Sequence, residues 1–442
     1  MPERLVWPNP SFPASWPPPP APTPLAPAAS PARGVRRVGW DLLLVCVAVY
    51  VVTAVGRVHQ LFPVLLPLKP TLVASTLAIV LYLLQQSGPR RLALLRSRTM
   101  TCLLGLLLWA ALSVPSALNQ GVAFSSLTDG FLKTALMCVV VAGSVRSVRD
   151  VERLSLVYFA GTVVYTAVVL SRFQLGADEW RLGRLYNYDA NDLATLIASA
   201  VPLGLFFALS RRRPLLRGLA AAGLAVLAVG LIRSGSRGGL LAFLAVAAFV
   251  LLGFTTVPKR WRLAGLVVIL AVALPAATGQ YWTQMQTIIH PERDYNMTSD
   301  AGRLKIWERG IGYMASNPAL GVGIGNFQVA EGTISPLADL QERGIGVRWG
   351  AAHNSFIQIG AELGVPGLLL FIGLIASVFV SLRRLSQSTE PSASQVQRLA
   401  QSLLAALVGF VVGAFFLSLA FSDMLYTLAA LAAGLHKVAR AA

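Results

Sequence analysis

Charge is what this sequence has least of. Only 13% of its 442 residues are Asp, Glu, Lys or Arg, while 55% are hydrophobic; soluble proteins carry roughly 25% charged residues. That shortage excludes a string of soluble domains, and a mean hydropathy of +0.65 points to a polytopic membrane protein. Acidic residues are the scarcer sign, with 19 Asp and Glu against 37 Lys and Arg, for a net charge of +18. The excess does not describe a nucleic-acid binder, because the basic residues sit in short clusters between apolar runs and form no patch with interleaved aromatics. Retention of cytoplasmic loops and attraction to anionic headgroups account for it. Cysteine is nearly missing. Cys46, Cys102 and Cys138 fall inside apolar runs and read as small buried hydrophobes rather than disulfides or metal ligands. With four histidines and no CxxC, HExxH or His-rich tract, the sequence supports neither a metal site nor a cofactor. A signal peptide is not in evidence either. The stretch to about Pro31 is rich in Pro, Ala and Ser and holds nearly half of the 26 prolines. Residues 1–35 are therefore expected to be a disordered cytoplasmic tail, and 36–442 a transmembrane domain.

What is present is a series of apolar runs, each long enough for the 17–25 residues of a span. They lie near 40–57, 64–86, 99–117, 130–145, 152–171, 191–209, 215–232, 238–256, 262–279, 353–381, 398–419 and 421–437. Pro63, Pro67 and Pro70 predict an irregular turn into the second. Basic clusters occupy every second connection: Arg90, Arg91, Arg96 and Arg98; Arg146, Arg149 and Arg153; Arg211, Arg212, Arg213 and Arg217; Lys259, Arg260 and Arg262; Arg383 and Arg384; Lys437 and Arg440. The positive-inside rule then places both termini in the cytoplasm. The expected fold is all-α, with about twelve transmembrane helices and one large periplasmic loop, 280–352, carrying amphipathic helices. Within that loop Leu304, Trp307, Ile311 and Met314 recur at helical spacing. They predict a helix from about Asp300 to Ser316, capped by Asp300 or Ser299, stopped by Asn317-Pro318, and lying over the membrane surface as a lid.

Three polar islands fall on the expected outer side: Ser234-Gly235-Ser236-Arg237-Gly238-Gly239, Gly302-Arg303 with Trp307, and His353-Asn354. Arginine suits a desolvated phosphate, because its guanidinium forks onto the oxygens and keeps its charge. Arg237 sits among glycines that let backbone approach a ligand, with Ser236 as an added donor. Arg303 opens a helix whose positive end adds to its own charge. His353 is suited to take a proton from an attacking hydroxyl, and Asn354 to fix its tautomer or hold a sugar hydroxyl. Arg181, Arg184 and Asn191, around Tyr186-Asn187-Tyr188-Asp189, add phosphate- and sugar-binding chemistry. Each has a plainer reading beside it. Arg237 with Arg233 would serve as a membrane-edge anchor, Arg303 as one of several basic residues on an exposed helix, His353 as an interfacial residue, and the 181–191 stretch as a polar turn. Gly321-Val322-Gly323-Ile324-Gly325 lacks the spacing and the following Gly-Lys-Ser/Thr of a nucleotide loop and reads as a turn shaping the lid.

At these islands the chain resembles the O-antigen ligase-like family, bacterial membrane glycosyltransferases that include O-antigen ligases, O-antigen polymerases and protein O-oligosaccharyltransferases. The resemblance rests on Ser234 to Gly239, on Gly302-Arg303…Trp307…Asn317-Pro318…Gly321 to Phe327, and on His353-Asn354-Ser355-Phe356…Glu362-Leu363-Gly364-Val365-Pro366-Gly367, within residues 190–375. It implies that Arg237, Arg303 and His353 are the catalytic residues. It further implies an undecaprenyl diphosphate-linked oligosaccharide donor, metal-independent transfer on the periplasmic face of the inner membrane, and as acceptor a glycan, the lipid A core or a protein hydroxyl. Ligase or polymerase is favoured, since no added acceptor-binding region for a protein is identifiable. A transporter or flippase is the competing class. Transporters place ionisable residues mid-membrane, whereas here the span interiors are almost bare of charge and no internal repeat is apparent.

Overall fold

The computed structural model describes residues 39–85, 93–172, 180–182, 188–210, 213–299, 302–339, 350–387 and 394–441. The expected tail, Arg184, the candidate cap Asp300 and the basic residues Arg90, Arg91, Arg211 and Arg212 lie outside them. The structure is 80% helical, with no strand element among the described residues.

A helix stands at each of the twelve apolar runs, but their lengths differ. Among the described residues, those long and apolar enough to cross a membrane are six: α4 (Gln120–Ser144), α5 (Val148–Arg172), α6 (Ala190–Ala208), α7 (Pro214–Ser234), α13 (Ser355–Ser386) and α14, which runs Ser394–Ala414. Shorter apolar helices are α1 (Leu42–Val55), α2 (Pro70–Gln85) and α3 (Arg98–Ser113), which precede them, and α8 (Arg237–Gly253), which follows α7. At 1.5 Å per residue, sixteen residues reach only about 24 Å of a roughly 30 Å hydrocarbon layer. Helix α9 (Lys259–Ala276) bends by 112° into α10 (Gly279–Gln286); taken as one span they make seven. The loop helices are α11 (Arg303–Ser316) and α12 (Phe327–Thr333), and α15 (Asp423–Ala441) closes the chain.

Helices α6 and α14 form the centre, each in contact with the other and with α8, while α5 and α7 also pack on α6. Small residues make this possible. A Cβ on Gly239 would stand 2.3 Å from the Cβ of Ala194, and one on Gly413 2.4 Å from Oγ1 of Thr195, so the backbones of α8 and α14 approach α6 closely. The turn into α2 is irregular, as Pro63 and Pro70 predict: short 3-10 segments cover Val58–Leu61 and Pro63–Leu65 before Pro70 opens the helix.

Helix α13 is two helices joined at Gly364, whose φ of 68° and ψ of −169° are not helical. Pro366 also lacks an N–H to continue the ladder. The freed carbonyls are taken up by the glycine-rich turn that follows α11. Val322 N donates to Ala361 O and Gly323 N to Glu362 O, each at 2.9 Å; Trp109 Nε1 on α3 donates to Leu363 O at 3.0 Å. The buried Glu362 carboxylate receives Gly325 N at 3.0 Å. The turn expected to shape the lid is thus clamped to a break in a long helix, and every polar group exposed by the break finds a partner.

The lid helix differs from its predicted form at its start. Its N-cap is Gly302, with no side-chain cap, rather than Asp300 or Ser299. The face packed inside the protein is Ile306, Gly310 and Tyr313, whereas Leu304 is 43% and Ile311 52% exposed. Gly310 lets Ile357 of α13 and Phe327 approach, and the larger apolar side chains of Leu304 and Ile311 are left uncovered by the protein.

Gly364→Ala tests the clamp. The new methyl would meet the Pro318 and Ala319 carbonyls at 2.5 Å, and the left-handed backbone adds about 1–2 kcal/mol for any L-residue. A lower melting temperature in detergent is the expected outcome; an unchanged one would show that the break tolerates ordinary helix geometry.

Candidate functional site

Three helix N-termini meet at one end of the α6–α8–α14 core. Helix α6 begins after Asp189, whose side chain caps Asn191 N and Asp192 N, with Asp192 closing a capping box. Helix α7 ends at Gly235 in the left-handed conformation (φ 58°), and α8 starts at once, capped by Ser236 Oγ accepting from Gly239 N at 3.1 Å. Helix α11 begins at Arg303. Asn191, Ser236, Gly238, Gly239 and Arg303 line one small recess, closed by Gly413, Phe416 and Leu417 from the end of α14 and the connection beyond it. Three helix dipoles and one guanidinium make the surroundings of this recess favourable to an anion.

Arg181 braces the rim. Its Nε donates to Ser234 O at 3.1 Å and its Nη2 to Asn191 Oδ1 at 3.3 Å, while Leu182 N donates to Arg233 O at 2.9 Å. Burial lowers the Arg181 pKa; Asp189 opposes the shift and the nearby Arg237 charge adds to it. Arg181 and Arg237 therefore lie within electrostatic reach of each other.

Arg237 is the first residue of α8 and turns towards the segment after α10. Its Nη1 donates to Thr287 Oγ1 and to Asp294 Oδ2, both at 2.5 Å. Burial raises the Asp294 carboxyl, but hydrogen bonds from Arg237 and Asn296 outweigh it and hold the pKa below the usual carboxylate range.

His353 precedes α13 with a φ of 48°, a conformation uncommon outside glycine. Its backbone amide donates to Ser418 Oγ at 2.9 Å, one residue from the recess-lining Leu417. The neighbouring Ala352 carbonyl receives Trp307 Nε1 from α11 at 3.0 Å, and the Trp307 ring meets Phe415 edge-on at 5.6 Å. Ser355 Oγ donates to Leu417 O at 2.7 Å. His353 is thereby tied on both sides to elements that border the recess. Asn354 is 1% exposed, and its Oδ1 accepts from Phe356 N and Ile357 N. It is the cap of α13, so the oxygen assigned to a sugar hydroxyl or to tautomer control is engaged with backbone.

Of the sequence-predicted residues, the fold brings Asn191, Ser236 and Arg303 into one recess. Arg181 is hydrogen-bonded to the recess-lining Asn191, Arg237 follows the recess-lining Ser236 without lining the recess itself, and the His353 amide is held by Ser418, next to the recess-lining Leu417. Arg184 lies outside the described residues. Sequence reasoning missed Thr287 and Asp294, which engage Arg237, and the Gly413–Ser418 stretch, which closes the recess and holds His353. Gly409-x-x-x-Gly413 was the available signal, a small-residue spacing typical of close helix packing. Nothing in the sequence marks Asp294 from other outer acidic residues. Also missed was the ion pair under the lid: Arg309 Nη2 meets Glu331 Oε2 at 2.6 Å and Tyr313 Oη donates to Glu331 Oε1 at 2.7 Å. Among the described residues no three His, Cys, Asp or Glu side chains group as a metal site.

Glu331→Ala leaves Arg309 and Tyr313 facing each other without their acceptor. Breaking a buried pair from one side costs about 3–5 kcal/mol, so the variant should melt earlier and its lid should become protease-sensitive; a wild-type melting curve would show that the pair does not hold α11 to α12.

A family model described as O-antigen ligase matches residues 222–372, a stretch that begins in α7 and runs through α8, the lid and the first part of α13. No curated protein matches the chain.

Proposed function

We propose that the chain is a membrane glycosyltransferase of the O-antigen ligase-like family, of the ligase or polymerase type, a reading supported by the match over residues 222–372, and that it transfers a glycan from an undecaprenyl diphosphate-linked donor to an acceptor hydroxyl. The acceptor is a sugar of another glycan or of the lipid A core. In this reading all twelve apolar helices cross the bacterial inner membrane, both termini are cytoplasmic, and the 280–352 connection faces the periplasm. The observation that carries the proposal is the recess shared by Asn191, Ser236 and Arg303 at the start of three helices.

The acceptor oxygen attacks the anomeric carbon of the donor sugar while the His353 imidazole takes its proton. The bond from that carbon to the phosphate oxygen breaks, and its electron pair leaves with the lipid diphosphate. Negative charge grows on the departing oxygen, where Arg237, Arg303 and the helix N-termini stabilise it without reorganising. The proton on His353 passes to the released diphosphate or to water, which resets the base. Ser236 and Asn354 serve this reading through helix capping, holding Arg237 and His353 at the first turns of their elements. Arg181 acts by fixing Asn191 at the rim.

Reconstitution with a lipid diphosphate-linked oligosaccharide and candidate glycan acceptors tests the proposal. Arg237→Ala, Arg303→Ala and His353→Ala should each lower transfer by at least about 100-fold, the loss typical of removing one preorganised transition-state donor or general base, while the proteins still fold. Arg237→Lys should recover only part of the activity, because an ammonium cannot grip two oxygens at once. Wild-type turnover in the His353 variant would remove the base assignment, and movement of the donor across the bilayer without transfer would favour a transporter.

A further inference from the structure

Asp294 is the residue that the site's geometry singles out beyond this reading. Its carboxylate does two things at once. Oδ2 receives Arg237 Nη1 at 2.5 Å, while Oδ1 receives Asn296 N at 3.1 Å and Asn296 Nδ2 at 2.9 Å. The Asn296 turn then abuts the start of the lid helix. Gly302 N donates to Ser299 O at 2.8 Å, and a Cβ on Gly302 would stand 2.6 Å from Asn296 O. No side chain fits there, so the backbone before Arg303 is seated directly on the turn that Asp294 organises. A continuous path of short contacts runs from Arg237 through Asp294 and Asn296 to Gly302 and Arg303.

The way Arg237 is held adds the second observation. Every hydrogen bond it makes among the described residues passes through Nη1, to Thr287 and Asp294. The edge formed by Nε and Nη2 remains for a two-oxygen grip on phosphate, the side-on geometry at which guanidinium excels. Asp294 is 13% exposed and Arg237 18%, so neither is a freely solvated surface charge.

We propose that Asp294 is a positioning residue for the transfer reaction: it anchors Arg237 by one nitrogen, presents the opposite edge to the donor diphosphate, and sets the spacing between Arg237 and Arg303. The inference rests on the donor-binding reading of Arg237. Asp294 touches no reacting atom. It stays on Nη1 while the diphosphate binds the other edge, and its charge partly neutralises the guanidinium. Donor is consequently held less tightly than a bare arginine would hold it, and the guanidinium sits where the leaving oxygens develop charge.

These two effects separate in kinetics. Asp294→Asn keeps the side-chain volume and one acceptor but loses the charge. Its kcat should fall about 10- to 100-fold, the scale of a misplaced catalytic group, while KM for the donor stays level or falls. Asp294→Glu, which restores a carboxylate, should recover part of kcat. Binding of a short polyprenyl diphosphate without sugar, measured in micelles, supplies the control. Asp294→Asn should tighten it about three- to tenfold, as expected for removing a half-buried counter-charge, and should change nothing when Arg237→Ala is already present. A merely structural role would lower the melting temperature and the yield of folded protein, leaving KM and probe affinity of the folded fraction unmoved. Wild-type kcat and probe affinity in Asp294→Asn, with Arg237→Ala impaired, would overturn the positioning role and leave the donor site standing. The same holds if the Asn substitution shifts binding equally in the Arg237→Ala background. If Arg237→Ala itself binds and transfers like wild type, the donor reading fails and this proposal with it.

Discussion

A concentration of positive charge at one end of a bundle of apolar helices is the constraint around which this protein is arranged. Helices α6, α8 and α11 each bring an N-terminus there, equivalent to about half a unit charge apiece, and Arg181, Arg237 and Arg303 add whole ones. Such a group repels itself in a low-dielectric setting. Two carboxylates moderate it. Asp189 caps α6 and supports Arg181, and Asp294 holds Arg237. In the proposed reading the positive charge that remains is what attracts the anionic donor.

Holding that arrangement requires backbone that is irregular in the right places. Gly239 and Gly413 remove the side chains that would keep α8 and α14 away from α6. The break at Gly364 opens α13 and frees carbonyls that bind the glycine turn after α11. The Arg309–Glu331–Tyr313 cluster then fixes α11 to α12. Arg303 and Trp307 extend from a helix that is clamped along its underside, and Trp307 in turn holds the strand of backbone that leads to His353. The lid is therefore part of the scaffold that sets the site, not a loose cover.

Much of this was legible from residue order. The apolar runs became helices because twenty apolar residues in a row have few other ways to satisfy their backbone, and the polar islands stood out because charge is so rare elsewhere. Ser236 and Asn354 stood out as ligand contacts, whereas the structure uses both side chains as helix caps. Other features were beyond sequence reasoning for identifiable reasons. The face of α11 that packs on α13 was not visible in the apolar spacing, because close approach there needs the small Gly310 rather than a large apolar side chain. The cap at Gly302 was misassigned because steric fit against Asn296 decided it rather than side-chain hydrogen bonding. The number of spans stays a proposal for the shorter helices, since hydropathy marks where a helix is apolar and says little of whether sixteen residues reach across a bilayer.

By itself the sequence determined the class of molecule, an all-helical membrane protein, and the small set of side chains able to grip an anion or move a proton. Both are local properties of composition and periodicity. Only the tertiary structure decided which of those side chains share a recess, that Asn354 spends its oxygen on a helix end, and that Asp294 rather than any other acidic residue stands against Arg237. The shared recess and the Arg237–Asp294 pair depend on how segments distant in sequence pack, and packing is set by steric fit between surfaces that no single stretch of chain contains.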